Sequence, residues 1–348
     1  MLSNQHMKYS FKDDYSEGCH PHILKKLIET NFEQTANANY GQDVFTKKAK
    51  ALIHKKLNHP NAEIHLVSGG TQANLVVISS LLKPYEAVIS AESGHIEVHE
   101  TGAIEATGHK VLTIPTEDGK LSPSLIQPTL DAHKDEHQVL PRMVYISNAT
   151  ELGTIYSHQE LKELSRFCKE KDLLLFMDGA RLGTALTSSS NDLNLELIAK
   201  YMDVFYIGGT KNGALLGEAI VICNKELQNN FRFALKQKGA LLAKGRLLGI
   251  QFLELFTDDL FFELGKYANR QAEVLSKAIE DKGFEFLAPT ESNQVFPILP
   301  KELIQKLQEK YEFHIWQTYD ETHDVIRLVT SWATPLDKVQ EFIEDLED

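Results

Sequence analysis

The sequence has few cysteines, no long apolar run and no excess of positive charge. Its three cysteines, Cys19, Cys168 and Cys223, lie far apart, which excludes a disulfide framework and a zinc ribbon and favours a reducing, cytoplasmic location. No stretch reaches the roughly 18 consecutive apolar residues of a membrane-spanning helix. The opening MLSNQHMKYSFKDD has no apolar core, so we expect neither a secretory signal nor a membrane partner.

The charge balance excludes a further class of partner. The chain carries 36 Lys and Arg against 49 Asp and Glu, so its formal net charge is −13. Because an acidic surface repels phosphate backbones, we do not expect nucleic acid as a partner. Any anionic ligand must be held by a local group of cations.

The chain does contain a repeated alternation of short apolar runs with helical stretches. Its 348 residues predict about two domains. Runs that are apolar throughout indicate strands buried on both faces, and their alternation with helices predicts an α/β domain with three layers and a mostly parallel sheet. Because little chain separates the last two runs, we expect the seventh strand to be antiparallel. The seven runs are 64–67, 87–90, 111–114, 143–147, 173–177, 204–207 and 219–223.

The pattern changes near residue 241. A long helical periodicity covers 247–279, and shorter strand-like pieces at 284–287, 294–298 and 325–330 alternate with helices at 300–309 and 336–346. This mixture predicts a smaller α+β domain. We assign 28–245 to the large domain, and 1–27 together with 246–348 to the small domain, since terminal segments often pack together.

Ligands of open α/β sheets bind beyond the carboxyl ends of the strands, so the residues after each run are the candidates for a site. The first run leads into SGGTQAN at 68–74 and then a helix. Free N–H groups at a helix start favour a phosphate, although on this motif alone a plain strand-to-helix turn is the more frequent explanation. The segment matches neither G-x-G-x-x-G nor the P-loop, so it implies no nucleotide.

Two histidines follow the second run, in GHIEVHE at 94–100. His95 and His99 would share one helix face, a spacing that suits a metal, but Ile96 replaces the glutamate of H-E-x-x-H. An imidazole at a strand end could instead stack on a planar ligand, or both rings could simply be solvated. We predict no metal site.

An aspartate and a lysine follow the fifth and sixth runs. Asp178 would be costly to bury unless it meets a cation or a protonated ring nitrogen; a helix cap or an Asp–Arg pair is the alternative. Lys211 lies among small residues in GGTKNG, where a desolvated amine becomes a nucleophile, although a lysine that binds phosphate is also possible. Together, a phosphate cradle, a stacking imidazole, a carboxylate and a lysine fit pyridoxal phosphate.

These segments resemble the threonine aldolase branch of the β-eliminating lyase family, within the fold type I pyridoxal phosphate enzymes. The resemblance rests on SGGTQAN, SGHIEVHETGAIEATGH, MDGARLG, GGTKNGA and IRLVTSW, and covers nearly the whole chain. It implies an aspartate-aminotransferase-like large domain and cleavage of L-threonine or L-allo-threonine to glycine and an aldehyde. It also implies a homodimer or homotetramer with shared active sites.

The resemblance also implies roles for single residues at the cofactor. Lys211 would form the Schiff base, Asp178 would pair with the ring nitrogen, and His95 would stack on the ring. The phosphate would be bound by Gly70, Thr71 and Thr210, with help from Lys244 or Arg246, between which the resemblance does not decide.

At the substrate, the resemblance implies that Arg181, which also lies at the cofactor, and Arg327 hold the carboxylate. Two positions depart from the family pattern. Asp13 stands where the family usually has a serine near the substrate carboxylate, and Thr150 stands where many members have a histidine near the substrate hydroxyl. A threonine can form a hydrogen bond with a hydroxyl but is a poor base.

Three other functions remain open at this point. The same cofactor could support β-elimination or transamination of another amino acid. His95 and His99 with a carboxylate could belong to a metal-dependent hydrolase, and the fold could also serve a binding protein without catalysis.

Overall fold

The structure is a computed structural model that describes residues 8–34 and 40–346. Strands and helices alternate along most of the chain. The strands are β1 (Tyr9–Ser10), β2 (Glu63–Val67), β3 (Glu86–Ala91), β4 (Val111–Ile114), β5 (Leu140–Ser147), β6 (Leu174–Asp178), β7 (Val204–Gly208), β8 (Glu218–Ile222), β9 (Gln294–Val295), β10 (Ile298–Pro300), β11 (Tyr311–Glu312), β12 (His314–Thr318) and β13 (His323–Val329). The α-helices are α1 (Pro21–Glu29), α2 (Val44–Leu57), α3 (Gly70–Leu81), α4 (His95–Val98), α5 (Pro123–Ala132), α6 (His158–Glu170), α7 (Leu182–Thr187), α8 (Leu195–Tyr201), α9 (Phe231–Gln237), α10 (Arg246–Phe256), α11 (Leu260–Asp281), α12 (Lys301–Lys310) and α13 (Leu336–Asp345).

A seven-stranded sheet in the order β2-β8-β7-β6-β5-β3-β4 forms the centre of the large domain. Its strands are parallel except β8, which pairs antiparallel with both β2 and β7. The seven strands fall on the seven apolar runs, and the antiparallel seventh strand is confirmed. The carboxyl ends of the parallel strands therefore meet at one edge of the sheet.

The sheet separates two hydrophobic cores, because successive side chains of a strand point to opposite faces. On β6, Leu175 and Met177 belong to one core and Leu174 and Phe176 to the other. The first core includes residues of α2, α6 and α8, and the second includes residues of α3 and α9. Helices on both faces of a mostly parallel sheet make the predicted α/β architecture of three layers.

A smaller sheet near the carboxyl end has the order β10-β13-β12, with β9 also paired to β13. It covers a separate core that includes Phe11, Leu275 and Phe342. The predicted strand at 284–287 is wrong, since only an isolated bridge at Phe286 forms there. The long helix predicted over 247–279 is broken between α10 and α11, where Asp258 and Asp259 adopt left-handed backbone conformations.

The border between the two domains stays a prediction at 245/246. Helix α10 follows that border in the chain, yet it packs tightly along α2 of the large domain. A Cβ at Gly249 would lie 2.2 Å from the Thr46 hydroxyl, so only glycine permits this approach. Phe252 and Leu255 of α10 also lie in the core with α2.

Candidate active site

The predicted site residues follow strands that end at one edge of the large sheet. Asp178 is the last residue of β6, and Lys211 lies just beyond β7. His95 begins α4 after β3, and Gly70 begins α3 after β2. The parallel sheet thus brings together residues that are far apart in the sequence.

Asp178 lies at the bottom of the site and is held by donors from three other elements. The Tyr145 hydroxyl donates to it at 2.5 Å, Asn74 Nδ2 at 3.2 Å and the Ala180 amide at 2.9 Å. The Tyr206 hydroxyl is a further donor. Burial alone would raise the pKa of Asp178, but the charge of His95 and these hydrogen bonds lower it below its ordinary value. The group is therefore a carboxylate at neutral pH.

Lys211 is largely buried beside the same group of side chains. Burial lowers the pKa of its amine, and the charge of Arg181 lowers it further, whereas Asp14 and Asp178 act in the opposite direction. Its Nζ lies 5.9 Å from the centre of the Tyr15 ring and makes no hydrogen bond or ion pair within residues 8–34 and 40–346. A lowered pKa and an uncommitted amine are the properties of a nucleophilic lysine.

His95 forms a dyad with a carboxylate. Its Nδ1 lies 2.9 Å from Glu100 Oε1, and Glu100 is buried. Asn74 Nδ2 also donates to Glu100, at 2.7 Å, which connects the dyad to Asp178. When Nδ1 donates to Glu100, Nε2 is left to accept a proton, and the carboxylate stabilises the resulting imidazolium.

Glu151 holds the backbone of His95 in place through a hydrogen bond. Its Oε1 accepts hydrogen bonds from the His95 amide at 3.1 Å and from the Ser147 hydroxyl at 2.7 Å. Burial raises the pKa of Glu151, and the charge of Asp178 raises it further. Glu151 therefore fixes the start of the one-turn helix α4, and with it the direction of the imidazole.

Arg181 is paired with Asp14 from the amino-terminal segment. Its Nε and Nη2 donate to the two carboxylate oxygens of Asp14 at 2.8 and 3.0 Å, and Asp14 is 1% exposed. Asn293 Nδ2 donates to Asp14 as well, at 2.9 Å. Asp13, the predicted substrate residue, instead accepts hydrogen bonds from the Tyr15 amide and the Ser16 hydroxyl in a surface turn.

Arg327 on β13 points its cation towards the same region. Burial and, to a smaller extent, the charge of Arg181 lower the pKa of its guanidinium to about 10. Its Nε is buried without a hydrogen-bond partner in the described part of the chain, and the group stacks 5.3 Å from the Trp316 ring centre. The side chain is half-buried and its Nη2 donates to the Lys12 carbonyl at 3.4 Å, which leaves other donors of the guanidinium for an anion such as a substrate carboxylate.

The opposite end of the site contains the helix start predicted for a phosphate. Helix α3 begins at Gly70 without a side-chain cap, so its first N–H groups are available to an anion. Thr71 is exposed at this start. Thr210 directly precedes Lys211 in the sequence and lies beside this helix start. Its hydroxyl donates to Glu218 Oε1 at 2.7 Å. Burial raises the pKa of Glu218 to about 8.

Three predicted residues lie apart from this group. Thr150 is 1% exposed, and its hydroxyl bonds to the Thr154 hydroxyl at 2.7 Å and packs on Gly119. Arg246 donates to the backbone carbonyls of Thr30 and Glu33. Lys244 borders a surface pocket together with Arg246. Their predicted roles at the cofactor and the substrate stay predictions.

Several residues of the site were missed in the sequence. Glu100 stands five positions after His95, and a carboxylate within one or two turns of a site histidine is a usable signal. Glu151 follows Thr150 directly. Tyr145 and Tyr206 occupy strands and resemble ordinary core aromatics, and Asp14 lies 167 residues from its partner Arg181, so no local pattern identifies these three.

Across 8–34 and 40–346, no three His, Cys, Asp or Glu side chains gather in a group that could hold a metal ion. Every helix in that part of the chain is too short or too polar to cross a membrane.

Comparison with known families gives a match over most of the chain. The sequence profile of the β-eliminating lyase family matches residues 22–301. The low specificity L-threonine aldolase of Pseudomonas aeruginosa is 34% identical, with 98% of this chain and 97% of that protein aligned. The enzyme of the same name from Pseudomonas sp. strain NCIMB 10558 is 36% identical, over 99% of this chain and 98% of that one.

Solved structures are similar as well. A structure of Leishmania major threonine aldolase has a TM-score of 0.95 and 49% sequence identity, with 97% of this chain and 98% of that chain covered. Aspartate aminotransferase from Thermus thermophilus has a TM-score of 0.72 at 13% identity, over 97% of this chain and 90% of that chain. At that low identity the likeness concerns the fold alone, and it confirms the predicted aspartate-aminotransferase-like architecture.

Proposed function

The chain belongs to the threonine aldolase branch of the β-eliminating lyase family, and from this premise we propose that it cleaves L-threonine or L-allo-threonine to glycine and acetaldehyde. It is a carbon–carbon lyase with pyridoxal phosphate as its cofactor. The observation that carries the proposal is the convergence of Lys211, Asp178, His95 and the two guanidinium groups at one sheet edge.

The residues at this edge fit the cofactor. Lys211 offers an amine with a lowered pKa, and Asp178 offers a buried carboxylate that would keep a ring nitrogen protonated. The uncapped start of α3 at Gly70 and Thr71, with Thr210 beside it, offers the donors that a phosphate requires. The imidazole of His95 would cover one face of the ring.

Substrate binding would depend on the two arginines. Within the residues that the structure describes, Arg327 Nε is buried without a partner and Arg181 Nη1 has none, while Asp14 occupies the other two nitrogens of Arg181. Two cations at fixed positions can orient a carboxylate and thereby hold the Cα–Cβ bond in one direction. The charge of Asp14 prevents Arg181 from swinging away.

Cleavage would need a base for the β-hydroxyl proton. We assign this to His95 Nε2, because Nδ1 is committed to Glu100 and the carboxylate stabilises the charge that the ring gains. His99 lies 5.4 Å from His95 between ring centres, and burial together with the charge of His95 lowers its pKa, so it is neutral and can relay the proton to solvent. When bound, pyridoxal phosphate supplies an electron-poor ring that accepts the electron pair of the broken bond.

Two further features, the oligomeric state and the cellular location, belong to the same proposal. A homodimer or homotetramer with shared active sites is supported by the exposed apolar residues Leu24, Ile28 and Phe32, of which Phe32 is 94% exposed. A cytoplasmic location is supported by the free state of the three cysteines. Light scattering of the purified protein and cell fractionation would test them.

The function is tested by adding L-threonine or L-allo-threonine to the purified holoenzyme and measuring both products. We expect acetaldehyde and glycine in equal amounts, and none from a Lys211→Ala variant. Formation of a keto acid would instead indicate β-elimination or transamination. Absence of acetaldehyde and glycine with either substrate would contradict the aldolase proposal.

A further inference from the structure

A small cavity lies on the side of the large domain. It is enclosed by α2, β2, α9, α10 and the turn at Tyr40 and Gly41. Its walls are mainly apolar, but Lys50, His65 and Arg232 also line it. None of the predicted site residues borders it. The cavity measures about 20 Å³, which is room for one occupant the size of a water molecule.

The cations of this cavity lack matching anions. Lys50 is largely buried and makes no hydrogen bond or ion pair within 8–34 and 40–346, while Arg232 donates through Nη2 only to the Tyr40 carbonyl, at 2.9 Å. Lys236 is exposed, with its Nζ 4.3 Å from the Tyr40 ring centre, and does not line the cavity. Burial lowers the pKa of Lys50, and the charge of Arg232 lowers it further.

The two nearby carboxylates form no ion pair with Lys50 or Arg232 within residues 8–34 and 40–346. Asp43 is fully buried and spends both oxygens on Thr46, accepting from its amide at 2.8 Å and its hydroxyl at 2.7 Å at the start of α2. Glu63 is 42% exposed and lies 3.3 Å from His65 Nε2. That nitrogen is buried and is not aligned for a hydrogen bond. Neither carboxylate therefore forms an ion pair with Lys50 or Arg232 in the described part of the chain.

We propose that this cavity binds one small monovalent anion of halide size. An anion would pair with Lys50 and Arg232, and an occupant the size of a water molecule would fill the space while larger anions would not. The ion would contact Lys50 on α2 and Arg232 on α9. It would thereby tie these helices to the turn at Tyr40, whose amide bonds to the Ala243 carbonyl. The inference is independent of the proposed aldolase activity.

The test compares the purified holoenzyme in sodium bromide, chloride, sulfate or gluconate, each at an ionic strength of about 200 mM. Because a ligand bound only to the folded state stabilises it, we expect both halides to raise Tm by about 2–4 °C over gluconate. Sulfate stabilises folded proteins in general, so its effect on Tm should be the same in wild type and in Lys50→Met. Anomalous diffraction from crystals in bromide should show a peak within about 3.5 Å of Lys50 Nζ.

Matched variants distinguish a specific site from general salt effects. Lys50→Met keeps the length of the side chain and should abolish the halide-dependent rise, whereas Lys48→Met, on the exposed face of α2, should retain it. If Lys50→Met does not fold, Arg232→Gln should show the same loss. A rise that persists in Lys50→Met, or a cavity without a bromide peak, would overturn the proposal. A peak without any halide-dependent change in Tm would indicate an adventitious ion only and would overturn it as well.

Discussion

Replacing Asp14 with asparagine removes one negative charge from the most deeply buried ion pair of the site. Asp14 is 1% exposed, the Arg181 side chain is 11% exposed, and two hydrogen bonds of 2.8 and 3.0 Å join them. Exposed ion pairs contribute little, but removal of one partner of a buried pair leaves an uncompensated charge and costs about 3–5 kcal/mol.

We expect the lower end of this range, because asparagine can still accept the hydrogen bond from Asn293. A loss of about 3 kcal/mol corresponds to a fall in Tm of about 6–12 °C. Asp13→Asn is the matched control, since that neighbour only bonds to Tyr15 and Ser16 in a turn; its stability should stay within about 0.5 kcal/mol of wild type.

The pH dependence provides a second test of the same pair. Burial would raise the pKa of Asp14, but the charges of Arg181 and Lys211 lower it below its ordinary value. A carboxylate with a lowered pKa contributes stability above its unfolded pKa and loses it as the pH falls through the folded pKa. The gap in Tm between wild type and Asp14→Asn should therefore be constant near neutral pH and close in acid. A gap that is absent at pH 7, or equal to that of Asp13→Asn, would refute the reasoning.

Three further substitutions test other parts of the site. Glu100→Gln removes the carboxylate that supports His95 and should reduce kcat for threonine by about 10²–10⁴-fold. Glycine binding, followed by absorbance, should persist. An unchanged kcat would contradict the role of the His95–Glu100 dyad. Tyr145→Phe removes a hydrogen-bond donor to Asp178 and should lower kcat/KM by about 10-fold. The acid limb of the pH–rate profile should also shift to higher pH. An unaltered profile would contradict the role of Tyr145 at Asp178. Gly179→Ala would place a Cβ 1.8 Å from a carbonyl oxygen of β7, so we expect little folded protein by circular dichroism; a normal yield would be inconsistent with this packing.

The large domain could be predicted well because its strands are apolar on both faces. Strands β3, β6 and β7 are buried along their whole length, so their sequences stand out from the helices between them. The small domain was harder. Strand β12 has three of its five side chains exposed and was missed, because neither a continuous nor an alternating apolar pattern marks it.

Residues of the candidate site that lie at strand ends could be predicted from the sequence. The side chains that pair with them were harder to predict. Asp178 and Lys211 follow buried strands, and the parallel sheet brings them to one edge. The partner of Arg181 comes from 167 residues away, which no local pattern encodes. The role of Thr150 at the substrate, predicted by analogy with a histidine, stays a prediction. Its hydroxyl bonds to Thr154, and the neighbouring Glu151 supports His95.

The central claim is that the amine of Lys211 holds the cofactor covalently, and peptide mapping after borohydride reduction tests it most directly. Reduction fixes the cofactor to whichever amine carries it, and mass spectrometry of the digest identifies that residue. The account predicts the modification on Lys211, with full occupancy in wild type and none at that position in Lys211→Ala. A modification on any other lysine of the wild-type enzyme, or none at all in protein that cleaves threonine, would contradict it.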